Sequence, residues 1–182
     1  SLEINEESGE EGAIASILNN IGLIYQQQGN LTEAKKYHLK SLDKFEKLGF
    51  IHRTTGPLNN IGGIYKNLGD YSIAMEYFNR AMKIGEEYEI KQAISISLNN
   101  LGEIYREMGE YNLAMQNFKR SLFIDEELRN KHGLTKTLNN IGLVYNSQKE
   151  YHEALGNYLI SLEISEELGD KSGMAKTLIL SG

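Results

Sequence analysis

Asparagine amides are the side chains in this sequence best suited to recognising another chain. They occur as four adjacent pairs separated by 40 residues, namely Asn19-Asn20, Asn59-Asn60, Asn99-Asn100 and Asn139-Asn140. An amide both donates and accepts hydrogen bonds, so it can pair with the C=O and N–H groups of a peptide without reading its side chains. Asparagine is also a mediocre helix former. Its recurrence at one register of helical segments therefore indicates a role other than helix formation.

Residues for catalysis or metal binding form no recognisable set in the sequence. Cysteine is absent, which excludes disulfides and thiolate ligands. His52 and His132 share a repeat position but lie two repeats apart, too far for one metal when packed helices are about 8–10 Å from each other. The remaining histidines, His38 and His152, share no position with them. The sequence predicts no catalytic residue, no metal and no cofactor, and therefore no enzyme.

Paired acids also recur, but their geometry does not suit acid/base catalysis. Adjacent residues on a helix point about 100° apart, so the two carboxylates of a pair do not face one substrate. We interpret them as solvated surface near a helix end. The pairs are Glu6-Glu7, Glu86-Glu87, Glu126-Glu127 and Glu166-Glu167.

Composition restricts the classes of partner. The net charge is −6, and Lys and Arg are scattered among Asp and Glu, whereas a nucleic-acid surface needs a basic stripe. No apolar run approaches the roughly 20 residues that span a bilayer, and no signal peptide opens the chain. The sequence therefore predicts a cytoplasmic protein with no nucleic-acid partner and no membrane partner.

An eight-residue motif sets the period of the chain. The pattern L-N-N-[IL]-G-x-[IV]-Y begins at Leu18, Leu58, Leu98 and Leu138, with 40 residues between successive copies. A fixed period of this length is typical of a solenoid or repeat array. We predict whole repeats at 11–50, 51–90, 91–130 and 131–170, a half repeat with one helix at 1–10, and a second half repeat at 171–182.

Each repeat contains two runs of helical periodicity. In 91–130, apolar residues recur at three- and four-residue steps from Gln92 to Met108, and again from Leu113 to Leu128. We predict a first and a second helix, antiparallel and joined by a turn that usually contains glycine. Another glycine inside each first helix costs roughly 1 kcal/mol against alanine. It predicts close approach of another backbone there, against the alanines Ala34, Ala74, Ala114 and Ala154 of the second helices.

Together these residues resemble the tetratricopeptide repeat signature. That signature places alanine nine residues after the motif tyrosine and an aromatic residue four positions later. The family's leading Trp is Leu here and its closing Pro is Glu, which lets the second helix run on and explains the period of 40. The chain resembles the long-repeat branch, which includes kinesin light chains, cell-polarity scaffolds and bacterial peptide-responsive regulators. The matching pairs are Ala34 with His38, Ala74 with Phe78, Ala114 with Phe118, and Ala154 with Tyr158.

The resemblance implies an all-α fold, a right-handed superhelical solenoid of antiparallel helix pairs. WD-type propellers share the period but need strands and a Trp-Asp pair, and this chain has no Trp. HEAT-type arrays are the other competitor, and the spacing of the motif glycine, tyrosine and alanine counts against them.

The resemblance also implies a function. First helices line a concave groove in the family, and asparagines at the matching register hold the backbone of a bound peptide. We assign the first asparagine of each pair mainly to bridging between repeats and the second to the ligand, with bridging as the alternative for both. The predicted function is a non-catalytic module for a protein or peptide partner, and the alternative is a structural, oligomerisation or sensor segment of a larger signalling protein. The predicted binding residues are Asn20, Asn60, Asn100, Asn140, Leu23, Lys66, Glu103, Arg106, Lys136 and Leu143.

Two residues that depart from the repeat and the two ends of the chain predict local structural consequences. Pro57 lies within a first helix, so that helix is expected to start late or bend. Lys149 replaces a turn glycine, so that helix end is expected to be strained. The two chain ends are expected to expose apolar side chains, and such surfaces favour head-to-tail self-association. These end residues are Leu2 and Ile4 at one end and Met174, Leu178, Ile179 and Leu180 at the other.

Overall fold

A computed structural model describes the backbone of residues 2–181 and the side chains of residues 9–181. Helices joined by short turns make up this range. Within that range there is no strand, and the predicted all-α fold of helix pairs is confirmed. The first helices of the repeats are α1, α3, α5, α7 and α9, and the second helices are α2, α4, α6 and α8. Their bounds are α1 Leu2–Gln27, α2 Leu31–Lys47, α3 Thr55–Leu68, α4 Tyr71–Glu87, α5 Lys91–Glu107, α6 Tyr111–Glu127, α7 Lys131–Ser147, α8 Tyr151–Leu168 and α9 Lys171–Ser181.

The chain forms two compact units, Ser1–Ser97 and Leu98–Gly182. In the first unit α1 packs on α2, α2 on α3, and α3 on α4. The apolar core there includes Leu42, Leu58, Ile61, Ala81 and Ile84. In the second unit α6 packs on α7, α7 on α8, and α8 on α9. The core of that unit includes Ala114, Phe118, Ile141 and Val144.

The glycine inside each first helix lies beneath an aromatic ring, and the prediction that another backbone approaches it was wrong. A Cβ placed on Gly22 would lie 2.6 Å from the His38 ring, and one on Gly102 would lie 2.6 Å from the Phe118 ring. Gly62 and Gly142 meet Phe78 and Tyr158 in the same way. The glycine is therefore needed because the ring of the second helix occupies the space of its side chain.

Pro57 delays its helix, as predicted. A 3₁₀ turn at Ile51–Thr54 precedes α3, which begins at Thr55, whereas α5 and α7 begin at Lys91 and Lys131. Pro57 is thus in the first turn of α3, where the missing N–H leaves no intrahelical bond unmade.

A left-handed backbone conformation ends the first helix of each repeat. Gly29, Gly69 and Gly109 adopt it, and Lys149 adopts it with φ 65°, which confirms the predicted strain at that helix end. Non-glycine residues also occupy the turn that follows the second helix, where Glu89 has φ 55°. Residues with a Cβ are disfavoured in this region by roughly 1–2 kcal/mol.

The half repeat predicted at 1–10 does not form a helix of its own, because α1 runs without a break from Leu2 to Gln27. Gly169, the equivalent of Gly9, ends α8, and Asp170 after it accepts hydrogen bonds from the backbone N–H groups of Ser172 and Gly173. Glu10 stands at the position of Asp170, and glutamate favours helix interiors over the N-cap. The predicted exposure of Leu2 and Ile4 lies outside the described side chains.

Replacing Lys149 with glycine should stabilise the second unit by about 1 kcal/mol, because glycine adopts the left-handed conformation without a Cβ clash. Urea unfolding measures the change. Gln148→Gly is the matched control, because Gln148 has a right-handed conformation with φ −86° and glycine there only adds backbone entropy to the unfolded chain. Equal effects of the two substitutions would contradict strain at Lys149.

Candidate functional site

The predicted binding residues lie on the first helices of both units. In the first unit Asn20 and Leu23 of α1 are exposed, and Asn60 and Lys66 of α3 are half-buried. In the second unit α5 supplies Asn100, Glu103 and Arg106, and α7 supplies Lys136, Asn140 and Leu143.

In the second unit, Glu103 joins candidate residues of α5 and α7. Its carboxylate accepts a hydrogen bond from Asn140 Nδ2 at 3.1 Å and forms an ion pair with Lys136 Nζ at 3.0 Å. Arg106 instead pairs with Glu107, the next residue of its own helix. The structure therefore brings Glu103, Lys136 and Asn140 together and directs Arg106 elsewhere.

Both asparagines of a pair bridge neighbouring first helices. Asn140 Nδ2 donates to Asn99 Oδ1 at 3.0 Å, and Asn99 Nδ2 donates to Thr137 Oγ1 at 2.7 Å. Asn139 Nδ2 donates in turn to Thr177 Oγ1 on α9 at 3.0 Å. Asn140 is only 6% exposed. The amide nitrogen of the second asparagine therefore bridges repeats, as the alternative prediction for this residue states.

The first unit repeats part of this pattern. Asn60 Nδ2 donates to Asn19 Oδ1 at 3.1 Å, and Ser97 Oγ donates to Asn59 Oδ1 at 2.9 Å. Asn20, at the start of the series, is exposed, and no described side chain hydrogen bonds to it. We call this set of asparagine-mediated bonds between first helices the asparagine ladder.

Ladder asparagines whose amide nitrogen donates a hydrogen bond still have an amide oxygen that can accept one. Asn140 gives N–H groups to Asn99 and Glu103, but no described residue donates to its Oδ1. The same holds for Asn60, whose amide nitrogen donates to Asn19. The ladder can therefore accept hydrogen bonds from a ligand at these positions.

Hydroxyl residues complete the ladder, and sequence reasoning missed them. Ser97, Thr137 and Thr177 each stand one residue before the leucine or its equivalent in the motif, and each contacts the first asparagine of the preceding repeat. Their 40-residue spacing was the available signal, but proline occupies the corresponding position at Pro57 and isoleucine at Ile17.

Pro57 has no hydroxyl to contact Asn19, and the ring of His38 makes a contact with that asparagine instead. Its Nδ1 lies 2.8 Å from Asn19 Oδ1, and because Asn60 Nδ2 donates to the same oxygen, Nδ1 must carry the proton. The ring is fully buried above Gly22, and burial lowers the pKa of His38 to about 4. His38 is thus a core residue that joins a second helix to the ladder.

No cluster of three or more His, Asp or Glu side chains with a metal-binding arrangement occurs among the described residues. Their helices also contain no segment with the length and apolar character needed to cross a bilayer.

Family comparison matches most of the chain. Two models described as tetratricopeptide repeat match it, one at residues 53–127 and the other at residues 14–48 and 134–168. No curated protein sequence matches the chain significantly.

Solved structures with the same fold come from repeat proteins. BtubC (BKLC) from P. vanneervenii has a TM-score of 0.76 at 18% identity, with 97% of this chain and 76% of that chain covered. The apo form of RapI has a TM-score of 0.81 at 27% identity, with 92% and 61% covered. A Rap protein complexed with competence and sporulation factor has a TM-score of 0.84 at 19% identity, with 92% and 46% covered. This chain thus spans about half of the two Rap proteins.

His38→Phe should remove an acid-sensitive step in unfolding. The folded pKa of about 4 lies below the ordinary 6.5, so the unfolded chain binds more protons and stability falls as pH drops from about 6.5 towards 4. The loss is roughly 2–3 kcal/mol. Phenylalanine, which occurs at the same position as Phe78 and Phe118, has no titrating group. Urea unfolding from neutral pH to pH about 4 measures the slope.

The exposed histidine His132 supplies the control for this titration. Because the side chain of His132 is 72% exposed, His132→Gln shows how far replacing a surface histidine changes the slope, and the effect of His38→Phe should exceed it. At neutral pH, His38→Phe should be no more stable than the wild type, because it loses the hydrogen bond to Asn19. A variant whose curve runs parallel to the wild-type curve at acid pH would contradict this account.

Proposed function

Because this chain belongs to the tetratricopeptide repeat family, we propose that it is a non-catalytic module that binds an extended peptide segment of a partner protein. The contact surface is the face formed by the first helices. Tetratricopeptide repeats are typically non-catalytic interaction modules, and the fold places the candidate residues of each unit on neighbouring first helices. Within each unit the peptide runs across neighbouring first helices.

The observation that carries the proposal is that the Asn140 amide donates hydrogen bonds through its nitrogen but accepts none from the described residues through its oxygen. Its nitrogen donates to Asn99 and Glu103, and its oxygen has no donor among the described residues. Asn140 Oδ1 is not among the buried side-chain atoms that lack a partner, so this oxygen is accessible at the face of the first helices. The backbone N–H of an extended peptide can donate to it, so the ladder recognises the peptide through accepted hydrogen bonds.

The residues around the ladder vary between repeats and give the face its selectivity. Glu103 and Lys136 carry opposite charges next to Asn140 and are held together at 3.0 Å. Leu143 adds a half-buried apolar side chain one turn further along α7. In the first unit Leu23 presents an exposed apolar side chain beside Asn20. A peptide with both polar and apolar side chains fits this mixture better than a uniformly acidic or basic one.

Similarity to Rap proteins supports a peptide as the ligand. One of the similar structures is a Rap protein in complex with competence and sporulation factor, and RapI shares 27% identity with this chain. The sequence resemblance to peptide-responsive regulators leads to the same class of partner. The residues that vary between the repeats of this chain determine which peptide it binds.

Asn140→Ala should weaken peptide binding about tenfold, the effect of losing one hydrogen bond of about 1–1.5 kcal/mol. Peptides are first selected from a random display library on the immobilised 182-residue chain, and their Kd is then measured by fluorescence polarisation. Methylation of single backbone nitrogens in the peptide should produce one position with a similar loss. That methylated peptide should bind wild type and Asn140→Ala equally weakly.

The control for this experiment is Asn139→Ala. Asn139 is buried and donates to Thr177, so its loss lowers stability by about 1–2 kcal/mol, as the loss of Asn140 does, but removes no contact of the face. Unfolding experiments establish that the two variants are equally destabilised. Equal peptide affinity in both variants, or failure to select any peptide, would count against the proposal.

Self-association is a second candidate function, favoured by the exposed end of the second unit. Leu178 is 54% exposed and Ile179 is 80% exposed on α9. Apolar side chains on such a surface favour association with another copy. Where α7 has Asn139 and Asn140, α9 has Ile179 and Leu180.

Changing Ile179 and Leu180 to asparagine should abolish self-association of the chain by removing its apolar surface. Light scattering over a concentration series should show a rising mass for wild type and a constant monomer mass for the variant. A surface change away from α9, Leu68→Asn, serves as control, because Leu68 is also 54% exposed. A wild type that is monomeric throughout would eliminate this candidate.

A further inference from the structure

A cavity in the first unit separates α1 from the start of α3. Its volume is about 240 Å³, and its walls include Asn19, Asn20, Phe45, Arg53, Gly56 and Pro57. The space exists because Gly56 stands where the later repeats have Ile96 and Lys136, and because the 3₁₀ turn precedes α3. Sites for drug-sized ligands measure roughly 300–1,000 Å³, so this cavity suits a single amino-acid side chain or chain end.

Asn19 presents an unused donor to this cavity. Its Oδ1 is fixed by His38 and Asn60, which turns Nδ2 towards Gly56. The other first asparagines all use Nδ2, since Asn59 donates to a backbone carbonyl and Asn99 and Asn139 donate to threonine hydroxyls. No described residue accepts from Asn19 Nδ2. Pro57 has no hydroxyl to accept from it, whereas Thr137 and Thr177 at the same position accept from Asn99 and Asn139.

Arg53 adds a positive charge at the same cavity. Its guanidinium lies 5.9 Å from the centre of the Phe45 ring and 5.7 Å from that of Phe50, so the two rings orient it. No described carboxylate pairs with it, and Glu11 on the neighbouring helix is paired with Lys44. A guanidinium forms its strongest hydrogen bonds with a planar anion such as carboxylate.

We propose that this cavity binds a carboxylate of the peptide ligand, held by Arg53 and by the Asn19 and Asn20 amides. The inference rests on the proposed peptide-binding function and names the chemistry that the ligand presents at one point. All of these groups donate, and Phe45 provides an apolar wall for the stem of the side chain that carries the carboxylate. The carboxylate comes either from the C-terminus of the peptide or from an acidic side chain.

Small probes test the cavity without a selected peptide. N-acetyl-glycyl-leucine presents a terminal carboxylate, N-acetyl-glutamate N-methylamide presents a side-chain carboxylate, and N-acetyl-glycyl-leucinamide presents neither. Titration of the ¹⁵N-labelled chain should shift the side-chain resonances of Asn19 and Arg53 with at least one carboxylate probe and not with the amide. The carboxylate probe that binds more tightly identifies the source.

Two variants localise the binding. Arg53→Gln should weaken the preferred probe about tenfold. Gly56→Ile should abolish binding by filling the cavity. The nearest atom to a Cβ at Gly56 is Asn19 Nδ2 at 3.9 Å, so the side chain has room at its first atom. Because residues before proline are disfavoured in a helix, an unfolding curve must first establish that the variant folds. Gly63→Ala on the same helix is the control, because a Cβ there meets nothing within 4 Å and lies outside the cavity walls.

The outcomes separate this inference from the proposed function. Equal binding of the amide probe, no shift with any probe at tens of millimolar, or unchanged carboxylate binding by Gly56→Ile would each overturn the carboxylate site. Peptide selection and the loss of affinity in Asn140→Ala concern residues of the second unit, so they can succeed when the probes fail. Probe binding without any selectable peptide would support the cavity and refute the peptide-binding face.

Discussion

The asparagine ladder is the interaction on which the stacking of successive first helices depends. A buried amide without partners is unfavourable by about 1–3 kcal/mol, so each asparagine requires a polar atom at a fixed place on the next first helix. Asn99 meets this requirement with Thr137 and Asn140, and Asn139 meets it with Thr177. Sliding one helix by a turn would leave every amide of the interface unpaired. Apolar contacts make the helices adhere, and the ladder determines their register.

The contact between glycine and an aromatic ring has the same function within a repeat. Phe118 sits on Gly102, where a Cβ would come within 2.6 Å of its ring. The distance between the two helices of a repeat is therefore set by the thickness of one ring. Because the period is constant, the sequence could predict the helix pairs, the late start at Pro57 and the strain at Lys149. Each of these depends only on local backbone preferences and spacing.

Other features depend on which atoms meet in three dimensions, and periodicity does not contain that information. A glycine repeated at one register signals close approach, but it does not say whether a backbone or a ring approaches. Likewise, the position of Asn140 on a helix indicates a polar contact without showing that its nitrogen is used and its oxygen is not. The continuous α1 depends on Glu10 standing where Asp170 accepts hydrogen bonds at the start of α9, a single-residue effect that the 40-residue period does not contain. The candidate residues could thus be placed on first helices from the sequence, while the direction of their hydrogen bonds could not be predicted.

The repeats of this array pack in the same way, so residues that differ from the repeat pattern need a separate explanation. Several of them coincide in the first unit. Pro57 removes a hydroxyl, His38 replaces a phenylalanine, Gly56 replaces a large side chain, and Phe45 stands where the later repeats have Gly85, Asp125 and Ser165. His38 provides a hydrogen-bond partner only for the oxygen of the Asn19 amide and leaves the nitrogen facing a cavity. A threonine at position 57 would provide an acceptor for this nitrogen, as Thr137 does for Asn99. An unused donor beside a guanidinium suits a binding site, and the packing of the helices does not require it.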